Sequence, residues 1–283
     1  MIPENTGKTP RVSVVVPAYN NALFLGKTID SILAQDYDDY ELIVADHSSL
    51  DRTGEIIERY AGNPFVRIMT PTPAGGGALA NWNRVSGHAR GEFVKLVCGD
   101  DLITSSALRE QVAALDANPS AVLVASARTL IDSNDRIILQ RRGLAGLSGL
   151  VPGRAAVRAA VRAGTNIFGE PCCVMFRRQL LDRVGGWDSQ YPYLIDQATY
   201  TRILLHGDMV ALPKVLASFR ISSGQWSVRL VRQQAEQAMA FHAALRATDK
   251  SLLSRVDLLT GNARAIAISY ARRLAYLWMR SRM

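Results

Sequence analysis

The sequence has 283 residues, 48% of them hydrophobic and 20% charged, which is typical of a globular protein and excludes the disordered and fibrous classes. No apolar run approaches the roughly 20 residues that cross a bilayer, and the N-terminus lacks the apolar core of a signal peptide, so we expect a cytoplasmic protein. Three cysteines are too few for a disulfide framework. The net charge of +8 is concentrated in residues 227–283, with ten Arg and Lys against three acids, so no nucleic acid groove is expected across the main body.

The chain opens with two predicted strand–helix units. The strands are Val12–Val16 and Tyr40–Ala45, and the helical segments that follow them are Ala22–Ala34 and Gly54–Tyr60. Turn-forming or polar residues follow each strand, namely Pro17, Tyr19 and Asn20 after the first and Asp46 after the second. Two such units in succession predict a parallel, right-handed α/β sheet. Both strands then end at the same edge of that sheet.

The next strands lead to two adjacent carboxylates. A short strand at Val66–Met69 precedes a helix that carries Asn83. A run of strand-forming residues then begins at Phe93 and ends just before Asp100 and Asp101, where ligands of parallel sheets bind. Two neighbouring carboxylates repel each other, whereas a divalent cation lets both stay ionised, so Mg²⁺ or Mn²⁺ carrying phosphate is the expected partner. On the residues alone, an exposed turn at a strand end remains the alternative.

Together these pieces resemble the nucleotide-sugar-binding half of family 2 glycosyltransferases of the GT-A fold. The resemblance rests on VSVVVPAYNN, on Ser-x-x-Asp-x-Thr shortly after Asp46, on Asn83 followed by Gly91–Phe93, and on the terminal Asp100 and Asp101. It implies an α/β fold with a Rossmann-type, mainly parallel sheet flanked by helices. It also implies a nucleoside-diphosphate sugar donor, a divalent metal on the diphosphate, and an inverting transfer to an acceptor hydroxyl.

The resemblance also implies a set of site residues. Those for the nucleotide sugar are Pro17, Tyr19, Asn20, Asp46, Asn83, Asp100 and Asp101. Asp46 would accept a hydrogen bond from the base, and Asp100 and Asp101 would also bind the metal. The sequence departs from the family pattern at Cys98, where an acid is usual, and at His47, which replaces another acid. With Ser222 in the place of a common histidine, the departures suggest a weaker or differently built metal site.

The second half of the chain resembles the acceptor half of the family. The predicted elements are helices at Ser105–Asn118 and Arg154–Arg162, strands at Ala121–Ala127, Cys173–Phe176 and Val215–Phe219, and a hairpin into Arg136–Gln140. The turn Val184–Asp188 matches the Gly-Gly-aromatic-Asp turn of the family. Asp196 precedes an amphipathic helix and keeps the family spacing to Arg202, so the resemblance favours Asp196 as the general base. Asp188 is the rival, and a helix N-cap is the structural alternative for Asp196.

The C-terminal residues 225–283 are expected to form helices only. Leu252, Val256, Leu259, Ala263, Ile266 and Tyr270 follow each other at spacings of three and four, which predicts one apolar stripe with arginines around it. Gly261 is a candidate break. The structural alternatives are a helical cap or the seam of a homodimer. The functional alternative is an interfacial helix that brings the enzyme to a lipid-linked acceptor, on an anionic surface at the inner face of the plasma membrane.

The sequence thus predicts a catalytic domain over residues 1–224 and a basic helical extension over residues 225–283. The catalytic domain divides into a nucleotide-sugar half, about 10–103, and an acceptor half, about 104–224. The expected function is an inverting hexosyl-type glycosyltransferase that builds a cell-surface polysaccharide or glycolipid. A sugar nucleotidyltransferase is one alternative, although its glycine-rich phosphate loop is missing after Val16. A catalytically weak binding partner in a glycan-assembly complex is the other.

Overall fold

The described residues form one ten-stranded sheet with helices packed against it in this computed structural model, which describes residues 9–72, 75–188, 190–222 and 233–280, with 274–280 described by their backbone alone. The strands are β1 Val12–Ala18, β2 Tyr40–Asp46, β3 Val66–Met69, β4 Phe93–Leu96, β5 Leu102–Ile103, β6 Ala121–Ile131, β7 Ile137–Arg142, β8 Gly149–Val151, β9 Val174–Arg177 and β10 Asp208–Arg220. The helices are α1 Leu25–Leu33, α2 Thr53–Glu58, α3 Gly77–Gly87, α4 Ala107–Asp116, α5 Gly153–Ala163, α6 Arg178–Arg183, α7 Ile195–Leu204, α8 Gln234–Thr248 and α9 Arg255–Arg280.

The strand order separates a parallel half of the sheet from a mixed half. The order is β3-β2-β1-β4-β9-β6-β10-β5, and β3, β2, β1 and β4 are parallel to one another. β9 is inserted antiparallel between β4 and β6, whereas β6 and β10 are parallel. The carboxyl ends of β1, β2 and β4 therefore share one edge, which is where ligands bind in such sheets. The predicted α/β fold class is confirmed.

The core explains why the first strands have near-continuous apolar sequences. Every residue of β1 is buried, and so are six of the seven residues of β2. Strands of a parallel sheet that is covered on both faces need apolar side chains at successive positions rather than at alternate ones. The run from Phe93 was predicted to end just before Asp100, whereas β4 ends at Leu96. Leu102 and Ile103, just after the two aspartates, form β5 and pair antiparallel with β10.

The C-terminal helices α8 and α9 pack on the rest of the described chain. Asp257 of α9 forms ion pairs with Arg158 and Arg162 of α5, at 2.9 and 2.7 Å. The crossing is close at Gly261, where a Cβ atom would lie 2.2 Å from the carbonyl oxygen of Val161. The sequence had suggested Gly261 as a break in the tail. In the structure Gly261 lies within α9 and does not divide it. The arginines of the basic helix α5 are engaged by the extension.

The predicted domain boundary at residues 224 and 225 falls in residues 223–232, which lie outside the described part of the chain. Arg282 also lies outside it, and so do the side chains of Leu274, Tyr276, Leu277 and Trp278. Across the described residues, the helices are all too short or too polar to cross a membrane.

Candidate active site

The loops that leave β1 and β2 are joined by hydrogen bonds at the carboxyl edge of the sheet. The amide of Asn20 donates to Oγ of Ser49 at 2.9 Å, and the amide of Leu50 donates to Oδ1 of Asn20 at 2.8 Å. Asn20 has φ 50°, a left-handed conformation that asparagine adopts more readily than most residues. The amide of Asn21 donates to Oγ1 of Thr53. The Ser-x-x-Asp-x-Thr segment therefore fixes the turn in which Tyr19 and Asn20 lie.

Asp46 is the last residue of β2 and lies opposite Ala18, the last residue of β1, which Tyr19 follows directly. Oδ1 of Asp46 accepts from the hydroxyl of Ser49 at 2.5 Å, which orients the carboxylate. The Tyr19 side chain is 50% exposed, and its ring contacts His47 edge-on, with 6.0 Å between centroids. Pro17 is buried in β1, opposite Ala45. An exposed aromatic ring beside an oriented carboxylate can stack on a nucleobase and accept its hydrogen bond.

His47 is more buried than a polar loop residue should be. It is 5% exposed, and neither of its ring nitrogens has a hydrogen-bond partner among the described residues. Buried polar atoms are normally paired, so a ligand that formed a hydrogen bond with either ring nitrogen would be stabilised by it. In the sequence, the one feature that singled out His47 was that it replaces an acid of the family pattern.

The aspartate turn after β4 is held by Arg220 at the end of β10. Arg220 is fully buried, and its Nε donates to the carbonyl oxygen of Asp100 at 2.8 Å. Its backbone amide donates to Oδ1 of Asp101 at 3.0 Å. Its guanidinium also forms an ion pair with Asp135 at 2.6 Å. On the other side, a Cβ atom on Gly99 would lie 2.7 Å from Oδ1 of Asn21, so glycine lets the turn meet the β1 loop.

The two aspartates of the turn have different environments. Asp101 is 0% exposed, and burial, followed by the charge of Asp100, raises the pKa of its carboxyl well above the usual value. Oδ2 of Asp101 has no hydrogen-bond partner in the described part of the chain. Asp100 is partly exposed. The sequence assigned both carboxylates to the metal, whereas in the structure only that of Asp100 reaches the surface.

Acids of both halves of the domain surround Cys98. Burial raises the pKa of the Cys98 thiol, and the charges of four carboxylates raise it further: Asp101, Asp100, Asp196 and Glu170. The structure therefore brings the aspartate turn and the acceptor half together at one place. A neutral thiol does not restore the negative charge of the acid that Cys98 replaces.

Asp196 has the properties of a proton acceptor. Its Oδ2 accepts from the side-chain amide of Asn166 at 2.8 Å, and its Oδ1 accepts from the amide of Gln197 at 2.7 Å. Burial raises the pKa of Asp196 to about 7, and the charge of Glu170 adds to the effect. A carboxylate with a pKa near 7 can take up a proton at neutral pH. Sequence reasoning missed Asn166, which carries no motif signal.

The rival carboxylates are engaged by arginines. Oδ2 of Asp188 lies 3.8 Å from the guanidinium of Arg202, and Oε1 of Glu170 accepts from buried Arg128 at 3.0 Å. Arg202 also donates to the carbonyl oxygens of the Gly-Gly turn and so fixes that turn. Of Asp188, Glu170 and Asp196, Asp196 is the one whose described contacts are all with neutral donors.

The side chain of Asn83 bonds to Trp187 and not to β1 at the carboxyl edge of the sheet. Its Nδ2 donates to the carbonyl oxygen of Trp187 at 3.1 Å, and its Oδ1 accepts from the amide of Trp187 at 2.8 Å. Residues two positions apart on a helix point about 200° apart. The residue of α3 that faces β1 is therefore Asn81, which donates to the carbonyl oxygen of Ala18 at 3.2 Å. Asn83 joins the two halves of the domain instead.

The metal expectation is only partly matched. The described residues hold no cluster of three or more His, Cys, Asp or Glu side chains that could bind a metal ion by themselves. Mg²⁺ usually takes one or two carboxylates and completes its shell with water and substrate phosphates. Asp100 fits this mode, in which the donor diphosphate would provide further ligands.

Comparison with known proteins gives consistent matches. The family model described as Glycosyl transferase family 2 matches residues 13–185. An uncharacterized protein of Mycobacterium tuberculosis, MT1568, is 30% identical over 229 residues, which are 78% of this chain and 70% of that protein. Poly(ribitol-phosphate) beta-N-acetylglucosaminyltransferase TarS of Staphylococcus aureus is 31% identical over 116 residues, 40% of this chain and 20% of TarS.

Solved structures show the same fold. The structure of TarS 1-349 in complex with UDP-GlcNAc has a TM-score of 0.70 at 20% identity and covers 90% of this chain and 71% of that one. The mannosyltransferase PcManGT from Pyrobaculum calidifontis, in complex with GDP-Man and Mn²⁺, has a TM-score of 0.63 at 22% identity and covers 97% and 80%.

Proposed function

Because the chain belongs to glycosyl transferase family 2 and is a glycosyltransferase, we propose that it moves a sugar, with inversion, from a nucleoside-diphosphate donor to a hydroxyl of a glycan or glycolipid. The observation that carries this proposal is that the carboxylates of the aspartate turn and of Asp196 are all near enough to Cys98 for their charges to raise the pKa of its thiol. A transferase needs a diphosphate-binding group and a separate base on the acceptor side, and these two elements supply them. The proposed product is a cell-surface polysaccharide or glycolipid.

The donor would bind at the carboxyl edge of β1, β2 and β4. Tyr19 and Asp46 would contact the base, within a pocket shaped by Pro17 and Asn20. The relatives support a nucleoside-diphosphate sugar, since TarS binds UDP-GlcNAc and PcManGT binds GDP-Man. These two donors differ in both sugar and base, so the proposal extends to the donor class alone.

Asp100 would hold a divalent cation against the diphosphate. When bound, Mg²⁺ or Mn²⁺ supplies positive charge that stabilises the leaving diphosphate. Asp101 would hold the turn in place without contacting the donor, because its carboxyl accepts from the backbone amide of Arg220.

Asp196 would act as the general base. As the acceptor oxygen forms its bond to the anomeric carbon, the bond from that carbon to the diphosphate oxygen breaks on the opposite face. The hydroxyl proton passes to a carboxylate oxygen of Asp196, and the electron pair of the broken bond leaves with the diphosphate. Asn166 holds Oδ2 of Asp196 in position by a 2.8 Å hydrogen bond. Holding the base in place supplies part of the rate enhancement.

We also propose a peripheral location on the inner face of the plasma membrane. The basic extension supports it, because the anionic lipids of that leaflet attract clustered Lys and Arg. A lipid-linked acceptor would be reached from this position.

The test is a donor screen with the purified full-length chain. Calorimetry and nucleoside-diphosphate release would be measured for UDP-, GDP- and dTDP-sugars with and without Mn²⁺. At least one donor should bind and be hydrolysed slowly, and Asp100→Asn should weaken its binding in Mn²⁺. The matched control is Asp182→Asn, an aspartate on the exposed face of α6. If no nucleoside-diphosphate sugar binds or is turned over, the proposal fails.

A further inference from the structure

The apolar stripe of α9 faces away from the protein. Its body-facing side consists of small or polar residues four positions apart, all of them buried: Asp257, Gly261, Ala265 and Ser269. The opposite side presents Val256, Leu259, Ala263, Ile266 and Tyr270, which we name the apolar stripe. Leu252, which the sequence placed in the same stripe, precedes α9 and is buried in the core. Leu259 is 70% exposed, Val256 64% and Tyr270 60%.

The close crossing at Gly261 explains this orientation. Because a Cβ atom there would overlap the Val161 carbonyl oxygen, only the small-residue side of α9 can approach α5. The large side chains are left in solvent, three to four residues apart along the helix. A row of exposed apolar side chains with polar neighbours marks an interaction surface.

The charges beside the apolar stripe identify what it contacts. Arg255 flanks it and is exposed, and the guanidinium of Arg273 lies 5.4 Å from the centre of the Tyr270 ring. Arg264 is turned toward α5, where its guanidinium donates to the carbonyl oxygen of Arg162 at 3.0 Å. Residues 250–283 contain one acid, Asp257, which is fully buried and paired with two arginines of α5. A second copy of the chain on this face would bring arginines together without carboxylates. An anionic lipid surface would supply both the negative charge and the apolar layer.

We propose that α9 lies on an anionic membrane surface, with the apolar stripe inserted between the lipid head groups. The same helix is joined to the acceptor side of the candidate site. Arg272 donates to Oγ1 of Thr165 at 2.9 Å and to the hydroxyl of Tyr193. Thr165 precedes Asn166, which binds Asp196. The inference deepens the peripheral location proposed above by naming the helix and the face that meet the lipid, and it would present the acceptor side to a lipid-linked substrate.

The test is co-sedimentation of the full-length protein with vesicles of phosphatidylcholine alone or with phosphatidylglycerol added. Binding should require phosphatidylglycerol and weaken as salt is raised. The variant Leu259→Gln with Ile266→Gln should weaken binding at least about tenfold. Arg255→Gln should weaken it by about fivefold. Leu205→Gln, at an exposed leucine just after α7, is the matched control and should bind as the wild type does.

The inference is overturned if anionic vesicles do not bind the protein, or if the Leu259 and Ile266 variant binds them unchanged. It is also overturned if light scattering shows a dimer that this variant converts to monomer, because the apolar stripe would then be covered by a second copy. Donor hydrolysis in vesicle-free solution reports on the proposed function separately, so the two failures are distinguishable. Circular dichroism of each variant verifies that the helices remain folded.

Discussion

The side-chain amide of Asn166 donates one hydrogen bond to Oδ2 of Asp196, at 2.8 Å, and another to the carbonyl oxygen of Gly169, at 2.9 Å. Its own Oδ1 accepts from the amides of Phe168 and Gly169, at 3.0 and 3.3 Å. The loop therefore fixes which end of the Asn166 amide faces the carboxylate. A donor in this position favours ionised Asp196, whereas burial favours the protonated form. Burial, with the charge of Glu170, outweighs the hydrogen bonds from the Gln197 amide and from Asn166, and raises the pKa of Asp196 to about 7.

The first prediction concerns the pH dependence of transfer. Because Asp196 must be ionised to accept a proton, kcat/KM should rise with pH, reach half its maximum near pH 7 and level off about one pH unit higher. Asn166→Ala removes a bond that favours the ionised form, so the midpoint of this rise should move to higher pH. The control is Asn118→Ala, whose side chain donates to the carbonyl oxygen of Ala114 in α4. A profile whose midpoint is the same in Asn166→Ala and wild type would contradict the assignment.

The second prediction concerns removal of the base. Asp196→Asn should lower kcat by about 10²–10⁴-fold, because a general base contributes in that range. Donor affinity should be nearly unchanged, since Asp196 lies on the acceptor side. Steady-state rates and calorimetry with the donor would check both parts. Near-normal turnover, or a loss of donor affinity together with rate, would exclude Asp196 and favour Asp188 or Glu170.

The same variant should change the pH dependence of stability. The folded pKa of Asp196, about 7, lies above the ordinary value of 3.8, so the folded state holds an extra proton between these pH values. Its contribution to stability is complete below pH 3.8 and is lost as pH rises through 7. Asp196→Asn removes this loss and should therefore gain stability relative to wild type as pH rises from 4 to 8, in urea unfolding.

Much of the nucleotide half could be predicted from sequence, because its signals are local. Valine-rich runs and helical spacing define the first strand–helix units. Parallel strands end at one edge, so the strands that precede Asp46 and Asp100 end on the same side of the sheet. The burial of Asp101 depends on Arg220, 119 residues away in the chain, and no local pattern reports it. The three- and four-residue spacing of apolar residues predicted the apolar stripe of α9. The face of α9 that packs on α5 is decided by the close contact between Gly261 and Val161, which the spacing does not show.

The third prediction separates the two aspartates of the turn. Asp100→Asn should weaken donor binding in Mn²⁺ and leave the free energy of unfolding nearly unchanged, because Asp100 is partly exposed. Asp101→Ala should lower that free energy by about 1–3 kcal/mol, because the buried amide of Arg220 loses its acceptor. Excess chelator should weaken donor binding by the wild type and have little further effect on Asp100→Asn. Equal losses of stability in the two variants would contradict this division of roles.

The fourth prediction concerns the docking of the extension. Asp257 is fully buried and accepts from Arg158 and Arg162, at 2.9 and 2.7 Å, and also from Ser254. Asp257→Asn removes the negative charge from these contacts and should lower the free energy of unfolding by about 1.5–3 kcal/mol, the range for hydrogen bonds to charged groups. It should also speed proteolysis between α8 and α9.

The matched control for Asp257 is Asp249, which pairs with Arg154 in an exposed position, at 2.8 Å. Asp249→Asn should leave the stability nearly unchanged, since exposed ion pairs contribute little. The contacts with arginine and Ser254 hold the pKa of Asp257 well below its ordinary value, although burial opposes them. The stabilisation from Asp257 is therefore complete above pH 3.8 and is lost only as pH falls further. If Asp257→Asn and Asp249→Asn unfold in urea like the wild type at pH 7, the ion pairs with α5 do not hold the extension in place.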